Sequence, residues 1–170
     1  MRRLLMVAVA LVAAGCGAPV SGSAAPSTVA DSKRVDMCTI LTDQELSQLG
    51  IKLDTREPVD RPGSVGCSWR GTPFALTLER DTETVAAYKA RQPGPALITF
   101  TENTVNGRAG VRFGVERDGT DCEQLIDGGS VSLVVSVAPA LSANGPKVDS
   151  CAEALRIAQM IEPRLPKTSS

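Results

Sequence analysis

The chain has 170 residues, 42% of them hydrophobic and 3% aromatic. That is enough for one domain, with a core built mainly from Val, Leu, Ile and Ala. It contains no histidine, which excludes a Ser–His–Asp arrangement, every His-containing zinc site and the commonest general base. The formal net charge is −1, and the composition gives no nucleic-acid footprint.

Met1-Arg2-Arg3 is a short basic start. The apolar run from Leu4 to Ala14 is too short to span a bilayer. The run ends in Ala13-Ala14-Gly15-Cys16, which resembles the lipobox of bacterial lipoproteins. Ala13 stands where such signals usually carry a larger aliphatic residue. Residues 1–15 are therefore expected to be a lipoprotein signal peptide and Cys16 the lipidated residue. Two acyl chains on one residue suffice for stable anchoring. Gly17 to Val35 is rich in Gly, Ala, Ser, Pro and Thr with almost no large apolar group, so residues 16–35 read as a flexible tether. The expected location is the extracytoplasmic face of the bacterial cell membrane, with the membrane as partner through Cys16.

Export would place the remaining cysteines, Cys38, Cys67, Cys122 and Cys151, in an oxidising compartment. Four cysteines allow three connectivities, and sequence alone does not choose among them. The equal separation within each pair, and the joining of a helix start to a strand in each, favour Cys38 with Cys67 and Cys122 with Cys151. No pair has the close Cys-x-x-Cys spacing of a metal or redox site.

The domain is expected over residues 36–166, followed by a tail at 167–170. Thr42-Asp43-Gln44-Glu45 reads as a capping box, with Leu41 and Leu46 as its hydrophobic staple and Gly50 as the stop. Lys52 to Ser64, with Pro58, Pro62 and Gly63, reads as a loop. Val65, Cys67 and Trp69 alternate with Gly66, Ser68 and Arg70, so they should share the core side of a strand. Phe74, Leu76 and Leu78 alternate in the next strand, after a turn at Gly71-Thr72-Pro73. Asp81 can cap a helix from Glu83 to Arg91, with Val85 and Tyr88 on one face and Gln92-Pro93-Gly94-Pro95 as its end.

From Ala96 to Ala138 the signals Asn106-Gly107, Asp118-Gly119 and Asp127-Gly128-Gly129 mark tight turns. Between them lie four strand-like runs: Ile98 and Phe100; Ala109, Val111, Phe113 and Val115; a short run with Cys122; and Val131, Leu133, Val135 and Val137. After Asn144-Gly145-Pro146, Ser150 and Glu153 suggest a second capping box, with Cys151 in the first turn. Ala154, Leu155, Ala158, Ile161 and Leu165 recur at helical spacing, with Ile157 and Met160 at the margin of the stripe. The expected fold is α+β: about six antiparallel strands, a hairpin plus a four-strand meander, packed with about three helices.

The lipobox cysteine, the Ser/Pro/Ala tether, Cys67-Ser68-Trp69, the Gly107-to-Gly114 hairpin, Cys122 and Cys151-Ala152-Glu153-Ala154 together resemble a family of short actinobacterial lipoproteins. That family, which includes mycobacterial members, is catalogued only as a domain of unknown function. The resemblance implies a membrane-anchored envelope protein with paired disulfides. It brings no active site. More loosely, the architecture is similar to the PsbP-like fold.

Little in the chain points to chemistry. Asp118, Asp121 and Glu123 cluster near a turn but lack the ligand order of a calcium loop. No serine sits in a Gly-x-Ser-x-Gly elbow, and no Gly-rich phosphate loop is present. Lys33, Lys52, Lys89 and Lys147 all read as exposed. Arg61, Arg70, Arg108, Arg112 and Arg117 could form a basic patch, Arg108 and Arg112 sharing the non-core face of one strand, but separate solvated arginines are the simpler reading. No catalytic residue, cofactor or metal site is expected. The leading expectation is a non-enzymatic binding or accessory module for an envelope protein or lipid ligand, held against the sheet or beside the last helix. An envelope hydrolase using carboxylates or Ser–Lys, and a purely structural surface protein, are the alternatives.

Overall fold

A computed structural model describes residues 32–91, 99–114, 120–140 and 148–167. The proposed signal peptide, Cys16, Ile98, Val115, Arg117, Asp118-Gly119 and the 144–146 turn lie outside the described residues.

The helices are α1 (Asp43–Gln48), α2 (Val85–Arg91) and α3 (Ser150–Ile161). The strands are β1 (Glu57–Arg61), β2 (Ser64–Trp69), β3 (Phe74–Asp81), β4 (Thr99–Val105), β5 (Arg108–Gly114), β6 (Cys122–Asp127) and β7 (Ser132–Pro139). All seven form one antiparallel sheet in the order β1-β2-β3-β7-β6-β5-β4. The meander β4 to β7 is present as expected, and β3 pairs with β7 to join it to the hairpin.

The expected element order holds, with one strand added. β1 occupies what read as a loop, because Val59 is its only half-buried residue and Pro58 breaks the strand pattern. Proline is tolerated there because β1 is an edge strand, and Gly63 at φ +89° lets the chain turn back in two residues.

The two sheet faces differ. The first face carries Cys67 and Trp69, Phe74, Leu76 and Leu78, and Leu133, Val135 and Val137, all buried. α3 lays Ala154, Ile157, Ala158 and Ile161 over them, and Leu41, Leu46 and Leu49 close the core from the α1 side. Each such Leu or Ile contributes about 1.5–3 kcal/mol by leaving water. Ile157 is full core, and Met160 packs at its margin. Val65 departs from the expectation: opposite Asp60 and Arg80, near the sheet edge, it stays exposed.

The capping box at α1 forms as read. Thr42 Oγ1 accepts from the Glu45 N–H at 3.2 Å, and Glu45 Oε2 accepts from the Thr42 N–H at 2.8 Å. At α3 the cap is Asp149, not Ser150. Its Oδ1 accepts from the Ala152 N–H at 3.0 Å, while Glu153 turns to Arg156. An aspartate one residue earlier serves the same orphan donors.

Disulfides join Cys38 to Cys67 and Cys122 to Cys151, each across 29 residues. The packed chain starts earlier than the expected boundary at 36. Ser32 is buried, its N–H donates to the Gly128 carbonyl at 3.2 Å, and Arg80 Nη1 donates to the Val35 carbonyl at 3.1 Å.

Candidate functional site

The second face is covered over only part of its width. α2 packs Val85 and Tyr88 on Val111, Phe113, Leu125 and Val134, with Phe100 beside them. Tyr88 stacks on Phe113 with ring centroids 5.8 Å apart. Asp81, expected to cap this helix, ends β3 instead. Its Oδ1 accepts from the Glu83 N–H at 2.7 Å and its Oδ2 from the Tyr88 hydroxyl at 3.0 Å. Burial, then the charge and hydrogen bond of Asp81, push the Tyr88 hydroxyl well above the usual tyrosine range.

On the β2–β3–β7 part of this face the side chains are small and polar. The register aligns Ser68 with Thr77, Thr77 with Ser136, and Ser136 with Glu123. One cross-strand row therefore carries three hydroxyls and a carboxyl, all half-buried. None of the four side chains hydrogen-bonds to another described residue. Ala75 and Ala138, a facing pair further along, are also half-buried. Next to this row lies Glu79, buried in β3. Arg61 Nη2 donates to both of its carboxylate oxygens at 2.8 Å, and Ser64 Oγ donates to its Oε1 at 3.1 Å. Burial, then the charge of Glu79, push the Glu123 carboxyl up to about 7, against an opposing pull from Arg61. Glu123 is thus poised to exchange a proton near neutral pH.

The acidic cluster read from the sequence is therefore only partly solvated: Glu123 belongs to the sheet face. The basic patch does not form among the described residues. Arg61 is held by Glu79, and Arg70 reaches Glu57 at 3.2 Å. Arg108 does not lie on a non-core face. Its side chain is buried on the first face, where Nε meets Glu162 at 3.0 Å and the two Nη atoms donate to the Asp127 and Pro166 carbonyls. It locks the end of α3 to the sheet. The four cysteines are joined as disulfides and offer no thiolate.

The groove beside the last helix also exists. It measures about 360 Å³ and lies between the end of α1 and the start of α3, lined by Leu49, Phe74, Val148 and Arg156 among others. Its charged groups are already engaged: Asp149 caps α3, and Glu153 holds Arg156 at 2.6 Å. A cavity of about 490 Å³ at the β1–β2 turn holds Arg61 and Arg80, both likewise engaged. Half-buried polar side chains without a partner among the described residues line up as a row on the second face. No cluster of His, Cys, Asp or Glu with metal-holding geometry occurs among the described residues.

Sequence reading missed this row because each member looks like an ordinary solvent-side residue. Thr77 and Ser136 alternate with core positions, which is what a strand with one wet face shows. The available signal was the run of small residues at alternate positions of three strands, Gly66 and Ser68, Ala75 and Thr77, Ser136 and Ala138.

These features define a class: a disulfide-stapled α+β domain with one antiparallel sheet, helices on both faces and a polar row on the second. The chain belongs to the family described as proteins of unknown function, DUF3558, whose model matches residues 11–164. No curated protein and no solved structure matches it.

Proposed function

We propose that this protein is a non-enzymatic binding module, anchored by lipid at Cys16 to the extracytoplasmic face of an actinobacterial membrane. Its ligand lies on the second face of the sheet. The observation that carries the reading is the row Ser68, Thr77, Ser136 and Glu123, four half-buried polar side chains with no hydrogen bond to another described residue. Half-buried polar groups gain when a ligand supplies their missing partners. The small floor leaves space for that ligand, and three hydroxyls with a protonatable carboxyl suit one rich in hydrogen-bonding groups. The basic start, apolar run and Cys16 of the sequence support the anchor.

Native mass spectrometry of the mature protein, extracted from its own membrane in mild detergent, tests this. A discrete added mass is expected on the acylated chain and absent from the Thr77→Trp variant, whose side chain fills the floor. A bare acylated chain in both would overturn it.

A second reading has one observation in its favour. Glu79 and Glu123 share the face, and Glu123 is raised towards neutrality, as a general acid requires. Under that reading Glu123→Gln abolishes turnover of the bound ligand while retaining the added mass. The engagement of Glu79 by Arg61 and Ser64 leaves it poorly placed as a second catalytic group, so binding is the first reading.

A further inference from the structure

The sheet has two free edges among the described residues, β1 and β4, and they are built differently. In a two-residue hairpin the residues flanking the turn exchange both main-chain hydrogen bonds, and pairs then alternate between bonded and non-bonded. For β1, with the turn after Arg61, the outward residues are Pro58 and Asp60. Proline has no N–H, so this edge cannot complete a ladder. For β4, with the Asn106-Gly107 turn after Val105, the outward residues are Phe100, Glu102 and Thr104. All three keep their N–H and C=O groups.

β4 is also held firm. Asn103 and Gln124 exchange side-chain amide bonds of 2.7 and 3.0 Å, reaching from β4 to β6 over β5. Only glycine at 110 permits this, because a Cβ there would lie 2.9 Å from both Asn103 Oδ1 and Gln124 Nε2. Asn106 Nδ2 donates to the Gln159 carbonyl of α3 at 2.9 Å. The strand is thus presented as a fixed template with no proline and one charge, Glu102.

We propose that β4 is an interaction edge and that its partner is a second copy of this chain, paired antiparallel about a two-fold axis at Glu102. In that register Phe100 faces Thr104, Thr101 faces Asn103 and Thr99 faces Val105. Phe100 with Thr104 and Thr99 with Val105 are aromatic or β-branched pairs that suit a sheet, and about six main-chain hydrogen bonds form. The two copies keep the same face of the sheet on the same side. Opposed glutamates alone would repel, but each arrives with Lys89 Nζ at 2.7 Å from α2. Two glutamates and two lysines then alternate around the axis. The Lys89 side chain is 30% exposed and that of Glu102 61%, so both can be shared across it.

Sedimentation of the mature chain across a concentration series tests this. The wild type is expected to dimerise. Glu102→Pro removes one outward N–H while leaving the β4–β5 bonds, and is expected to be monomeric with an unchanged circular dichroism spectrum. Lys89→Glu leaves the backbone alone, gathers four acids at the axis, and should weaken the dimer at least about tenfold; it decides the matter if the proline variant misfolds. A wild type that stays monomeric, a dimer indifferent to Lys89→Glu, or a crosslinker at position 102 that captures a different protein would each overturn the proposal.

Discussion

The two faces of the sheet use the same strands to opposite ends. On the first face apolar residues from β2, β3 and β7 meet α3, and the buried polar groups Arg108 and Gln124 are hydrogen-bonded. On the second face α2 closes an aromatic and aliphatic cluster, and a polar row beside it keeps its capacity. Stability is concentrated on one side and adaptability on the other. A disulfide-stapled first face lets the second carry residues that contribute little to folding.

Five measurements would break or sharpen this contrast. The largest effect is expected from Trp69→Ala on the first face, a loss of about 3–5 kcal/mol in denaturant unfolding. A loss below 1 kcal/mol would mean that this core is not the main source of stability. Arg108→Met should cost about 3 kcal/mol, because it leaves the half-buried Glu162 and the Asp127 and Pro166 carbonyls without their partner; equal stability of the variant would sink the proposed lock.

On the second face, Glu123→Gln should stabilise the protein by about 1–3 kcal/mol at pH 8 and leave it unchanged at pH 4. The sign follows from the raised pKa. Between pH 4.5 and about 7 the folded protein keeps a proton that the unfolded chain has lost, so stability falls as pH rises through that window. A difference of the same size at both pH values would rule this out. Glu45, tied to α1, behaves oppositely. The Arg164 guanidinium, and then the Thr42 N–H and hydroxyl, hold its carboxyl down to about 2, so its contribution is lost as pH falls from 4.5 towards 2. Glu45→Gln should flatten that acid limb of the stability curve. The smallest effect is expected from Tyr88→Phe, about 1 kcal/mol for its bond to Asp81, read from the same unfolding curves. A loss above 3 kcal/mol would show that α2 anchors the fold.

Much of the first face was legible in the sequence, because its signals are local. Thr42 and Glu45 stand three residues apart, Leu133, Val135 and Val137 alternate, and α3 shows its stripe. The cysteine pairing was favoured, not dictated, by equal spacing and by joining a helix start to a strand, and it is the one that forms. β1 was not legible: one valine and a proline carry no period, and its pairing comes from β2. The second face was hidden for another reason. Glu79, Ser136 and Glu123 become neighbours only when β3 pairs with β7 and β7 with β6, and that long-range register is written in the opposite, apolar face. Val111 and Phe113 alternate as expected, but they point away from α3, because β5 turns its apolar side to α2.

The disulfides also bear on how the molecule is made. Their connectivity is sequential: both partners of the first bridge, Cys38 and Cys67, precede both partners of the second, Cys122 and Cys151. A chain delivered N-terminus first can therefore close each bridge with the only free thiol yet available in its domain. Crossed pairings become accessible to such a chain only if the first bridge is delayed until Cys122 has followed it.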